Sequence, residues 1–376
     1  MKVAKTYKKL ILSALFYLAM ISLLQAEVIT VDNNPNSPAD YTSLQEAITA
    51  ANAGDTIYVS GSNTSYGDVS ITKQLTLIGQ GYRSTNLTQL SLKSIVGQFT
   101  FTLEADAVGN ITQNSSGSTL MGFTCDYVRF GGTSTAGISN ILIKRCWIYS
   151  KTNSQPSISL NAYVNGLSLI QNVIKSRWLG NSSAAVQINN AGNILISNNI
   201  MYGDYGPMFY NSNKTSVLIS NNTIHVHDNA PIFSTFSHGV VTNNIIYGYP
   251  PTGASYTVFN NNISFSSGEN AFLYGTNTGG ANIEGVDPLF SELVDTNFSW
   301  GSDYTLQSTS PAVNAGTDGT DIGVTGGGNP WLKTADGKLD LSGAPNLPQI
   351  SVMNILNSFV PAEGNISIEL KAVGAQ

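Results

Sequence analysis

One phrase recurs along this chain, and it limits the fold more than any other feature. An apolar–x–x–Asn–x–apolar run reads LIQNVI at Leu169 to Ile174, ISNNIM at Ile196 to Met201, ISNNTI at Ile219 to Ile224 and VTNNII at Val241 to Ile246. IKRCWI (Ile143 to Ile148) puts Cys146 in the asparagine slot. FNNNIS (Phe259 to Ser264) and FTCDYV (Phe123 to Val128) offer Asn262 and Asp126 there. The slots are 20, 26, 27, 23, 22 and 18 residues apart. A repeat on that scale belongs to a solenoid.

Within each unit, short alternating segments of Ile, Val and Leu are broken by Gly, Asn and Ser, with almost no helical period. About 22 residues accommodate three strands of roughly five residues and their turns. Such coils, stacked in parallel, predict an all-β chain: a right-handed parallel β-helix solenoid. Buried turns need partners for their backbone groups, and stacked asparagine amides supply them. Asn172, Asn199, Asn222 and Asn244 are therefore expected to form an internal, structural ladder.

Both ends read as caps. YTSLQEAITAANAG places Leu44, Ala47, Ile48 and Ala51 on one helical face, predicting an amphipathic N-terminal cap helix. Thr42 with Gln45 suggests its capping box and Gly54 its stop. At the far end, Ile350 to Leu356 and Ile366 to Lys371 read as strands of a hairpin through PAEG. That gives a C-terminal β cap, set off from the coils by the Gly/Pro/Asp-rich run from Pro311 to Pro330. The expected organisation is a leader over 1–26, an entry strand and cap helix over 27–56, coils over 57–316 and a cap over 317–376.

The leader has Lys2, Lys5, Lys8 and Lys9 ahead of an apolar stretch from Leu10 to Leu24, and Ala26 suits cleavage. A bacterial protein, secreted or held at the cell surface, is the expectation. No later apolar run is long enough to span a membrane. Lys and Arg total 17 against 23 Asp and Glu, and four of the lysines fall in the leader. That balance speaks against nucleic-acid binding, which needs a positive field. A monomer is expected. Cys125 and Cys146 are 21 residues apart, close to one coil, so they are either a disulfide between coils or two buried thiols.

YTSLQEAITAANAGDTIYV followed by ITKQLTLIGQGY resembles the entry to the pectate-lyase-like parallel β-helix superfamily. DPLF (Asp287 to Phe290) and DYTLQSTSPAVNAG (Asp303 to Gly316) are similar to the closing segment of many secreted bacterial members. The resemblance covers nearly all of the chain after the leader and implies the fold. For activity it implies only a range: polysaccharide lyases, glycoside hydrolases, esterases, epimerases and adhesins.

Alternation in TIHVHD points Ile224 and Val226 inward and His225 and His227 outward. Applied to every coil, this gives an outward column of Tyr149, Lys175, Tyr202, His225 and Tyr247. A second holds Lys151, Arg177, Asp204, His227 and Tyr249, and the following turn adds Trp178, Tyr205 and Asp228. Aromatic faces between charged groups suit the stacking of sugar rings and the binding of hydroxyls or uronates, so the expected partner is a polysaccharide or cell-surface glycan. β-Elimination on a uronate needs its charge neutralised, a base and an acid. Lys175 and Arg177 could neutralise, His225 or Lys175 abstract, and Tyr202 protonate. Trp178, Asp204, Tyr205, His227, Asp228, Tyr247 and Tyr249 would then contact substrate.

Hydrolysis needs two carboxylates about 5–10 Å apart. Asp204 and Asp228 qualify by coil, but each opens a loop where aspartate is an ordinary turn residue. His225-Val226-His227 is too weak a pattern to assign a metal. Calcium fits the resemblance, yet the neighbouring face lacks a carboxylate cluster. A polysaccharide-binding protein, with lyase chemistry ahead of hydrolysis, is the leading expectation. A non-catalytic adhesin or scaffold is its rival.

Overall fold

The computed structural model describes residues 26–83, 92–132, 137–152, 155–176, 184–203, 207–211, 216–226, 231–266, 268–294, 297–345, 349–355 and 368–373, the last two as backbone. It is a parallel β-solenoid. One wall is an 11-stranded parallel sheet running from Val28–Val31 to Thr278–Gly280. The other two are counted together as a 14-stranded sheet, because Thr124–Phe130 turns a corner and pairs on both sides of it. Its first two residues face Trp147 and Ile148, and its last three face Ile158 to Leu160.

Like stacks on like inside. Ile57, Leu77, Leu120, Ile143, Leu169, Ile196, Ile219, Val241 and Phe259 lie in register, all fully buried. The period-2 pattern fixes this, because a one-residue slip would turn every such side chain to water.

The asparagine ladder is present and longer than the repeated phrase indicates. The side-chain amide of Asn172 donates to Asn199 Oδ1 at 3.0 Å, and the contact repeats through Asn222, Asn244 and Asn262 to Asn282. Each rung also accepts from the backbone N–H one coil earlier, which brings Cys146 in through its own N–H at 2.9 Å. FTCDYV is a correction. Cys125 pairs with Ile148, so the slot on that coil falls at buried Phe123, and Asp126 lies three residues past it.

The cap helix spans Leu44–Ala50 and buries Leu44, Ala47 and Ile48. Its N-cap is Ser43, one residue later than expected, with Ser43 Oγ accepting from Glu46 N. Gln45 turns away to accept from Ser70 N at 2.8 Å. Cys125 and Cys146 are free and buried, and the two-residue offset in register separates their slots. Gln349–Ile355 pairs antiparallel with Ile368–Val373.

The segment from Ala315 onward departs from a simple cap. It runs back along the outside of the solenoid, held by one side chain per coil. The residue before each ladder slot (Arg145, Gln171, Asn198, Asn221, Asn243, Asn261) has φ between 51° and 57°. Asparagine tolerates that left-handed conformation better than most residues, and it aims the side chain outward. Asn261 Nδ2 donates to Ala315 O at 2.9 Å and Asn243 Nδ2 to Thr317 Oγ1 at 2.9 Å. Asn221 Nδ2 donates to Asp321 O at 3.3 Å, Asn198 Nδ2 to Gly326 O at 2.7 Å and Gln171 Nε2 to Pro330 O at 2.7 Å. Arg145 closes the row with an ion pair to Asp340 at 2.6 Å. Val173, Ile200, Ile245, Ile263, Ile322, Val324 and Trp331 make a second core beneath this strap.

Candidate functional site

The register places Tyr149, Lys175, Tyr202, His225 and Tyr247 in one outward column, as alternation requires. Exposure does not follow. A hairpin of Phe290–Glu292 and Asp303–Leu306, with Phe298 and Trp300 between its strands, lies over the later coils. Phe298 stacks on Tyr202, ring centres 3.9 Å apart. His225 is 1% exposed, with Nδ1 3.0 Å from the Tyr304 hydroxyl. Phe290 packs on Tyr247 at 5.8 Å.

Tyr202 and His225 are therefore corrected from accessible acid and base to components of a second core. Their column faces away from the β-helix interior, but the hairpin makes a second interior there through Phe298 and Tyr304. Burial pushes the phenols of Tyr247 and Tyr304 upward, further from proton transfer near neutrality. Tyr249 is corrected as well. Gly248, at φ 94°, breaks the alternation, and Tyr249 packs against the aliphatic core. Arg177, Trp178, Asp204, Tyr205, His227 and Asp228 lie outside the described residues.

What stays open is the start of the column. Trp147 and Tyr149 stack, ring centres 4.4 Å apart at 26°, and both are half-buried at the edge of the hairpin. Trp300 meets Trp147 edge-on at 5.2 Å, and Trp147 Nε1 donates to Tyr202 Oη. Cations surround this platform. Lys93 Nζ is 5.3 Å from the Trp147 ring, Arg83 5.7 Å from Trp300 and Lys175 Nζ 5.6 Å from Tyr202. Where Thr124–Phe130 turns its corner, Arg129 lies 4.7 Å from the Tyr127 ring, and Lys151 pairs with Asp126 at 2.8 Å. Burial raises the Asp126 carboxyl despite that ammonium, and the hydrogen bond to Asp126 raises Lys151.

Alternation extended by one level would have found Trp147. Lys93, Arg83 and Trp300 carry no periodic signal, because they come from outside the repeats. Among the described residues no three His, Cys, Asp or Glu side chains converge in a set that could hold a metal ion. A cleft lined by Ala51, Asn52, Lys73, Gln74 and Gln113 lies beside the cap helix, away from this platform. No helix among the described residues is long and apolar enough to cross a membrane.

No family profile and no curated protein matches the sequence. Among solved structures, the chain is similar to the crystal structure of pectate lyase Pel9A. The identity is 14%, the coverage 80% of this chain and 96% of that one, and the TM-score 0.42. A likeness of that degree says nothing about the site.

Proposed function

We propose that this chain is an exported protein that binds an acidic polysaccharide on the open strip centred on Trp147 and Tyr149. The observation that carries this is the stacked, half-buried Trp147–Tyr149 pair with Lys93 on one side and Lys175 on the next coil. A flat aromatic face takes the apolar side of a pyranose ring, and ammonium groups at its margins take carboxylates or sulfates. Elimination by Tyr202 and His225 forms no part of this reading, because both are enclosed.

The test is affinity electrophoresis through gels containing pectate, alginate, heparinoid, chondroitin sulfate or a neutral glucan. At least one acidic polymer should retard the protein, the neutral one should not, and Trp147→Ala with Lys93→Ala should abolish retardation. Equal mobility in every gel, or unchanged retardation of the double variant, would sink the proposal. A non-catalytic adhesin remains the rival, and the hairpin of Phe290–Glu292 and Asp303–Leu306 favours it by covering Tyr202, His225 and Tyr247 of the chemically rich column.

A further inference from the structure

The outer faces of the three walls do not carry the same chemistry. On the wall that begins at Ile158, register turns Arg129, Ser159, Gln187, Tyr210 and Ser234 outward, a polar column. On the wall of Trp147 the outward rings are roofed by the hairpin. The 11-stranded wall differs from both. Leu142, Ser168, Leu195, Leu218, Val240 and Val258 follow one another outward on six successive coils, and only Ser168 is polar. Leu218 and Val240 remain 39% and 37% exposed.

The fold does not demand this stripe, since the neighbouring wall builds the same coils with polar residues outside. Its sequence signature is a loss of alternation: NILIS (Asn193 to Ser197), SVLIS (Ser216 to Ser220) and GVVT (Gly239 to Thr242) are apolar on both faces. Parallel strands read that way where both faces are covered, and a contiguous exposed apolar patch marks a contact surface. The next outward position, running from Met121 through Lys144 to Asn260, adds one ammonium and no carboxylate. At the edge of the face, Tyr256 stacks on His238 with ring centres 5.5 Å apart, and exposed aromatics of this kind are enriched where proteins meet.

We propose that this wall is a homodimer interface, closed face to face by the same wall of a second copy, in place of the monomer expected from the sequence. A glycan needs amides, carboxylates or rings for its hydroxyls, and the stripe from Leu142 to Val258 offers one hydroxyl. A second copy needs a face that does not repel itself. The chain carries 23 acidic residues against 17 basic, so two copies repel over most of their surfaces, whereas these walls meet with no carboxylates opposed. The size also suffices. Eight strands, from Thr119–Met121 to Thr278–Gly280, cross this part of the wall. At ~4.8 Å between strands and ~3.3 Å per residue, a face about five residues wide covers roughly 600 Å². Two such faces remove roughly 1,200 Å² from water, the lower end of the range for a specific interface. A pairing of identical patches closes on itself, so assembly stops at two copies.

The experiment is sedimentation of the full chain over a wide concentration range. The expected mass is twice that of the chain, falling to one on dilution. Leu218→Glu with Val240→Glu, both at outward positions, should give a monomer whose circular dichroism and melting match the wild type. A thiol at the same place gives a readout that does not depend on that variant folding. In Leu218→Cys the native Cys125 and Cys146 stay buried, so the introduced thiol alone takes a maleimide, and its labelling should slow several-fold as the protein is concentrated. A wild type that sediments as a monomer at every concentration would overturn the inference. So would a dimer that survives the double glutamate substitution, because its interface lies elsewhere. Labelling that is slow at every concentration would show the wall covered by its own chain, and would overturn it too.

Discussion

Asn222→Ala tests the ladder at its middle. The Asn222 side-chain amide donates to Asn244 Oδ1, Ile196 O and Ser220 O at 2.9–3.0 Å, and its oxygen accepts from Asn199 N and Nδ2 at 2.8 and 2.9 Å. Every one of these partners comes from a buried part of the turn. Alanine deletes five hydrogen bonds and strands the Asn199 backbone N–H in the interior. An orphaned buried donor costs about 1–3 kcal/mol, and each remaining bond a net of about 0.5–1.5 kcal/mol, not fully additive. The expected loss is about 3–5 kcal/mol in urea unfolding followed by circular dichroism, with the slope against denaturant unchanged. Asn282 at the last rung is half-buried and makes three such bonds, accepting from Asn262 N and Nδ2 and donating to Phe259 O, so Asn282→Ala should cost measurably less. A loss below about 1 kcal/mol for Asn222→Ala, or equal losses at both rungs, would refute the view that hydrogen bonding makes the ladder structural.

Other consequences follow from buried groups. Asp340→Ala leaves the Arg145 guanidinium, 1% exposed, without its counter-ion, and should cost about 3–5 kcal/mol by urea titration, whereas Lys338→Ala in the exposed pair with Glu292 should change little. Burial raises the Cys146 thiol to about 12 and Cys125 well above its usual range. Ellman's reagent at pH 8 should therefore find no thiol in the native chain and two in urea; a rapid reaction before unfolding contradicts the enclosed placement.

The coils were legible because their signal is local. Ile196 and Asn199 announce an inward strand and a slot within four residues, and neighbouring coils repeat them. His225 was legible as to direction and not as to exposure. Direction follows from its own strand, but burial comes from Tyr304, 79 residues away and outside any repeat. Asp126 shows the converse failure. It fits the repeated phrase by spacing, yet the pairing of Cys125 with Ile148 puts the slot at Phe123, three residues earlier. Gly97 carries no repeat signal, and the structure alone shows that its missing side chain is room for the Asp68 carboxyl.

The strap also changes how the solenoid can come apart. Stacked repeats touch only their neighbours, so they unravel from an end, coil by coil. Here contacts such as Arg145 with Asp340 and Arg83 with Trp300 join residues 195 and 217 positions apart. Tyr82 and Arg83 on an early coil both donate backbone N–H groups to Ser342 O. A coil between Arg145 and Asn261 that frays must first release a segment fastened to its neighbours as well. A stack that would otherwise melt gradually is made to unfold as one unit, and it cannot finish folding until residues near 340 have returned to residues near 82.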